Sequence, residues 1–134
     1  MSYARNNWTD EQKANVQKNR KRSIFYDNNY FDSSWEVEFW KYCKLNGKNI
    51  SRNVKVFKYN YLNVEHYCIP DFEVDGTLVE IKGNQFLKKD GNWQNPFDHS
   101  QDDLYEAKHK CLLENNVNIL YLSDLKRLGL SIKK

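Results

Sequence analysis

Asp71, Glu80 and Lys82 are the residues of this chain whose types and spacing could do chemistry. They lie in two short runs, Ile69-Pro70-Asp71-Phe72 and Glu80-Ile81-Lys82-Gly83, joined by Glu73-Val74-Asp75-Gly76-Thr77-Leu78-Val79. Asp75-Gly76 is a strong signal for a two-residue hairpin turn, because glycine tolerates the positive φ that a type I′ turn requires. The flanking runs alternate and are rich in β-branched and aromatic residues, as strands are. With the turn at 75 and 76, residue 74 pairs with 77, 72 with 79, and 71 with 80. Asp71 and Glu80 then face each other with Cβ atoms about 5 Å apart, a spacing at which like charges destabilise a sheet. A positive partner between them resolves the conflict. A divalent metal is the natural one, since hard cations prefer oxygen ligands. Lys82 projects from the same face as Glu80. There it can orient or deprotonate a water, or stabilise negative charge on a phosphorane-like transition state.

Pro70, Phe72, Val74, Val79 and Ile81 point the other way and form an apolar face suited to a core. The hairpin therefore separates a packing face from a chemical face bearing Asp71, Glu73, Glu80 and Lys82. The bland alternative is a half-exposed hairpin with solvated charges, in which Lys82 pairs with Glu80 or Glu73 and contributes roughly 0–1 kcal/mol. A one-residue bulge would break the Asp71–Glu80 pairing.

These strands need elements to hold them. Ser33 is a natural N-cap and Gly47 a natural stop for a helix over 34–46, with Trp35, Phe39, Trp40 and Cys43 as its apolar stripe. Glu36 shares that inward stripe. Its alternatives are a capping box with Ser33 or a third carboxylate that binds metal directly or through water. Strands are predicted over 54–62, 66–74 and 77–82, with Pro70 marking an edge, bulge or bend. Residues 83–101 are irregular, and a loop that long is usually functional or mobile. A second helix over 102–115 places Lys108 one turn after Leu104. It is the candidate auxiliary site residue, against the alternative of a solvated lysine. Val117–Leu122 reads as a buried strand, and Asp124 as the cap of a short helix through Leu128. The order α, β, β, β, α, β predicts an α/β (α+β) fold with a mixed sheet, its last strand parallel. Ahead of it, residues 8–19 read as a mostly polar helix.

Composition sets the limits. The chain has 134 residues, 40% hydrophobic and 15% aromatic, enough for one domain with a core and too apolar for disorder. No apolar run approaches the roughly 20 residues that span a membrane. The N-terminus does not read as a secretory signal, so a cytoplasmic location is the expectation. Cys43, Cys68 and Cys111 are odd in number and widely spaced, which argues against a disulfide framework. His66-x-Cys68 and His109-x-Cys111 imitate a zinc set, but His109 and Cys111 lie about 200° apart on a helix and cannot converge. The total charge is +3, yet residues 1–22 hold six basic against two acidic residues, including Lys18, Arg20, Lys21 and Arg22. Such a basic segment reads either as a nucleic-acid footprint or as a solvated tail.

Pro70-Asp71 followed by Glu80-Ile81-Lys82, with Ser34-Trp35-Glu36 on the preceding helix, resembles the PD-(D/E)XK nuclease superfamily. The resemblance covers residues 33–122. The set is most similar to small phage-encoded or homing-type endonucleases. It implies a restriction-endonuclease-like αβββαβ core over 23–134, with residues 1–22 as a DNA-contacting arm. It implies Mg²⁺, with Mn²⁺ as a substitute, held by Asp71, Glu80 and the Ile81 carbonyl and supported by Glu36. Lys82 would position or activate water. DNA contacts would come from Lys18, Arg20, Lys21, Arg22, Arg52, Lys88 and Lys89. Double-strand cleavage would call for a homodimer or sequential nicking, and a phage-encoded enzyme would work in the host cytoplasm. Two alternatives stand beside this reading: a junction- or flap-specific nuclease using the same site, and a non-catalytic DNA-binding module.

Overall fold

The computed structural model describes residues 24–52 and 55–131. The Asp75-Gly76 signal is realised directly. Both residues have positive φ, 49° and 87°, and the turn joins β6 (Phe72–Val74) to β7 (Thr77–Lys82). Phe72 pairs with Val79 and Val74 with Thr77, the register read from the turn. Strand β3 (Ile50–Arg52) lies antiparallel along the other side of β6, and β8 (Asn118–Tyr121) runs parallel along β7. The main sheet is therefore mixed and four-stranded, in the order β3-β6-β7-β8, and the fold is α/β.

Helix α1 (Ser34–Leu45) starts at Ser33, whose hydroxyl accepts the Glu36 N–H at 3.4 Å. Helix α2 (Asp102–Glu114) forms the crossover between β7 and β8. Helix α3 (Leu122–Arg127) follows β8 directly. Asp124 sits inside this helix, and its carboxylate reaches back to accept the Tyr121 N–H at 2.8 Å. Among the described residues no helix is long and apolar enough to cross a membrane.

Two departures from the expected elements have local causes. The strand expected over 66–74 breaks at Ile69-Pro70-Asp71, because proline has no N–H to give to a ladder. Its first half, β5 (Val64–Cys68), pairs with β4 (Phe57–Tyr61) in a separate hairpin turned by Leu62 and Asn63. A further hairpin, β1 (Ile24–Tyr26) and β2 (Asn29–Phe31), turns on Asp27-Asn28 at positive φ. The helix expected over 8–19 lies outside the described residues, as does Val54.

The sheet has a core on each face. On one side Phe72, Val79 and Ile81 pack with Phe31, Phe39, Trp40 and Leu125. This is the predicted packing face. On the other side Leu78 and Ile119 pack with Cys68, Trp93, Cys111, Leu112 and Val117. The face bearing Glu80 and Lys82 is thus covered by α2, the β4–β5 hairpin and the 83–101 segment, and is not an open surface. That segment is also more ordered than its composition implies. It carries two 3₁₀ turns, at Asn84–Phe86 and His99–Gln101, and a bridge between Leu87 and Trp93.

Candidate functional site

Asp71 stands where the β6–β7 ladder ends. Its N–H donates to the Val79 carbonyl at 3.0 Å, and its Oδ2 accepts the Ile81 N–H at 2.8 Å. The break at Pro70 frees the chain to turn Asp71 in this way, and the residue is buried. Its carboxylate then comes together with those of Glu36, from the first turn of α1, and Asp32, from the end of β2. One oxygen of each lies within 4.8 Å of the other two.

Glu36 is the most perturbed of the three. Burial, and then the charge of Asp71, push its carboxyl up to about 8 although Arg52 acts against them. Arg52 Nη1 donates to Glu36 Oε1 at 3.2 Å. The Arg52 guanidinium also lies 4.9 Å from the centres of both the Phe31 and Phe72 rings. This corrects the reading of Arg52 as a DNA contact: its side chain is only 14% exposed and is committed to Glu36. Attractive ring and carboxylate contacts hold it inward.

Glu80 reaches across to helix α2. It is buried, and its Oε2 lies 4.0 Å from Lys108 Nζ. Glu80 is not part of the three-carboxylate group. Asp71 thus accepts from Ile81 and groups with Glu36 and Asp32, while Glu80 reaches Lys108 on α2. Burial works to lower the Lys108 pKa, but Glu80 together with Cys68, Asp71 and Tyr59 outweighs it, so the ammonium is favoured. Lys110, two positions on, is exposed.

Lys82 sits in an aromatic box. Its Nζ lies 4.2, 5.0 and 5.5 Å from the ring centres of Phe86, Trp93 and Tyr105. Burial, followed by the nearby charge of Lys108, lowers its pKa to about 8, while Glu80 and Asp71 act in the opposite sense. The box is braced. Trp93 N–H donates to Glu106 Oε1 at 2.7 Å, its Nε1–H donates to the Tyr121 hydroxyl at 2.8 Å, and its ring stacks on His109 at 4.7 Å. The 83–101 segment is in effect a strap that walls off Lys82.

Sequence reasoning missed Asp32 and the aromatic box. Asp32 stands immediately before the Ser33 cap and four residues before Glu36. The cluster of Phe86, Trp93 and Phe97 in an otherwise polar stretch was the available signal for the box. Ile81 is buried in the core beside Phe72 and Val79. Lys88 lies 3.8 Å from Asp90, and Lys89 is exposed, both on the turn of the strap. Lys18, Arg20, Lys21 and Arg22 lie outside the described residues.

Asp32, Glu36 and Asp71 supply hard oxygen donors of the kind Mg²⁺ or Mn²⁺ takes. Burial is the largest cause of the raised Glu36 pKa, followed by the charge of Asp71, and Arg52 only partly offsets them. Comparison with protein-family models, curated proteins and solved structures gives no match.

Proposed function

We propose that this protein is a divalent-metal-dependent DNA endonuclease of the PD-(D/E)XK kind. The observation that carries the reading is the convergence of exposed Asp32 with buried Glu36 and Asp71, at the end of a Pro-Asp…Glu-x-Lys hairpin whose lysine has its pKa lowered to about 8. Asp71, Glu36 and Asp32 would hold the ion, with Glu80 completing the acidic set. A bound divalent cation polarises a phosphate and lowers the pKa of coordinated water.

The protein's own residues do the rest. The aromatic box partly shields Lys82, and burial keeps part of it neutral near pH 8. In that state Nζ can accept a proton from an attacking water. Lys108 stays charged beside Glu80 and offers positive charge where phosphate negative charge develops. Glu36 would give up its proton and serve as an ionised ligand with a cation bound. Exposed Lys89 and the basic segment 1–22 supply phosphate contacts, and a homodimer would give one site per strand.

The test is incubation of supercoiled plasmid with the purified protein in Mg²⁺, in Mn²⁺ and in EDTA. Nicking or linearisation is expected with either metal and not with EDTA. Cleavage that persists in EDTA would overturn the metal-dependent reading. Cleavage of branched but not linear DNA would convert it to a junction- or flap-specific one.

A further inference from the structure

A pocket of about 750 Å³ is lined in part by Trp35, the chain neighbour of Glu36, and none of its lining side chains carries a carboxylate. We infer that it takes one unpaired nucleobase of the DNA strand being cut, stacked between Trp35 and Phe97 with the flanking phosphate at Lys126. This inference rests on the nuclease reading above.

Its place in the fold connects it to the candidate site. Trp35 precedes Glu36 on α1, Asn84 and Gln85 follow Lys82, and Ser123 follows the Tyr121 that pairs with Lys82 across the parallel strands. The pocket therefore lies outside the carboxyl ends of β7 and β8, where open α/β sheets place ligands. Phe97 packs edge-to-face on Phe86 at 6.1 Å, and Phe86 is the ring nearest to Lys82 Nζ. The pocket wall and the Lys82 box thus share an aromatic ring.

The lining matches a nucleotide in each of its parts. Phe97 is 81% exposed, yet its backbone is braced, because Asn95 Oδ1 accepts the N–H of both Phe97 and Asp98 at 2.9 and 3.2 Å. A ring held in water on a braced turn is ready to stack, and every base offers a π-face. Asn84 and Ser123 bond reciprocally at 3.0 and 2.9 Å and form a fixed polar wall. The Gln85 amide lies over Gly83 and adds a further polar group to the lining. Lys126 is the one charged lining residue, and its sign suits phosphate. A volume near 750 Å³ falls within the usual range for ligand sites, about 300–1,000 Å³.

The test compares a fully paired DNA duplex with the same duplex carrying one extrahelical thymine. Binding is followed by fluorescence anisotropy at one ionic strength, in Ca²⁺ and in EDTA, with wild type and with Phe97→Ala. Wild type is expected to bind the bulged duplex at least about fivefold more tightly. Phe97→Ala is expected to lose that preference and keep its affinity for the paired duplex. Equal affinities in wild type, a preference retained in Phe97→Ala, or no binding of either duplex would overturn the inference. So would displacement of the bulged duplex by thymidine monophosphate at comparable concentration, which marks a free-nucleotide site. Plasmid nicking without a bulge preference would remove the pocket and leave the nuclease; a bulge preference without nicking would do the reverse.

Discussion

Glu36 shows how one buried carboxylate joins stability to chemistry. In the metal-free protein its pKa rises from 4.5 to about 8, through burial and then Asp71. Between those values the folded state holds a proton that the unfolded chain has released. The stabilisation linked to Glu36 is therefore complete below about pH 4.5 and is lost as pH rises through about 8. At the proposed metal site a cation would have to displace that proton, so Mg²⁺ should raise the melting temperature more near pH 9 than near pH 6. Differential scanning fluorimetry with and without Mg²⁺ checks this, and a shift that is independent of pH would count against it. Arg52 belongs to the same argument. Arg52→Met should cost about 1–3 kcal/mol in urea denaturation, less than a buried pair usually does, because Glu36 can stay protonated. Neither Arg52 nor Asp32 was readable as part of this group. Arg52 stands 16 residues from Glu36, and no local pattern distinguishes a buried arginine from an exposed one. The register of the β6–β7 hairpin was readable, because the Asp75-Gly76 turn sets the pairing of Phe72 with Val79 by counting alone.

At the scale of elements, the parts legible in the sequence are those governed by local rules. Ser33, Gly47 and Asp75-Gly76 carry the signals that begin or end α1 and turn the β6–β7 hairpin. The split of the expected 66–74 strand was also signalled by Pro70, though not its outcome, since the choice of β4 as the partner of β5 depends on pairing across the chain. The contact of Glu80 with Lys108 has the same origin: it exists only because α2 crosses over that face of the sheet. The strap is the element with the clearest energetic role. Trp93 is nearly fully buried and bonded to both α2 and Tyr121. Trp93→Ala should cost about 3–5 kcal/mol and open the box, moving the Lys82 pKa back toward its ordinary 10.5. Urea denaturation and NMR titration of the lysine side chains read the two effects. Unchanged stability would show that the strap is not a structural wall.

At the scale of the whole molecule, the two cores divide the work. One binds α1 to the sheet and brings Glu36 and Asp32 to Asp71; the other carries α2, the β4–β5 hairpin and the strap over Glu80 and Lys82. The site lies where the two meet, at the end of the β6–β7 hairpin. Asp71 is the residue common to both halves, since its charge acts on Glu36 on one side and on Lys82 and Lys108 on the other. That makes it the most direct point of attack. The decisive measurement is the initial rate of plasmid nicking in Mn²⁺ by wild type and by Asp71→Asn, with circular dichroism confirming that both are folded. A metal-dependent rate that falls by about a hundredfold or more in the variant is the predicted result. An undiminished rate in folded Asp71→Asn would contradict the assignment of this site.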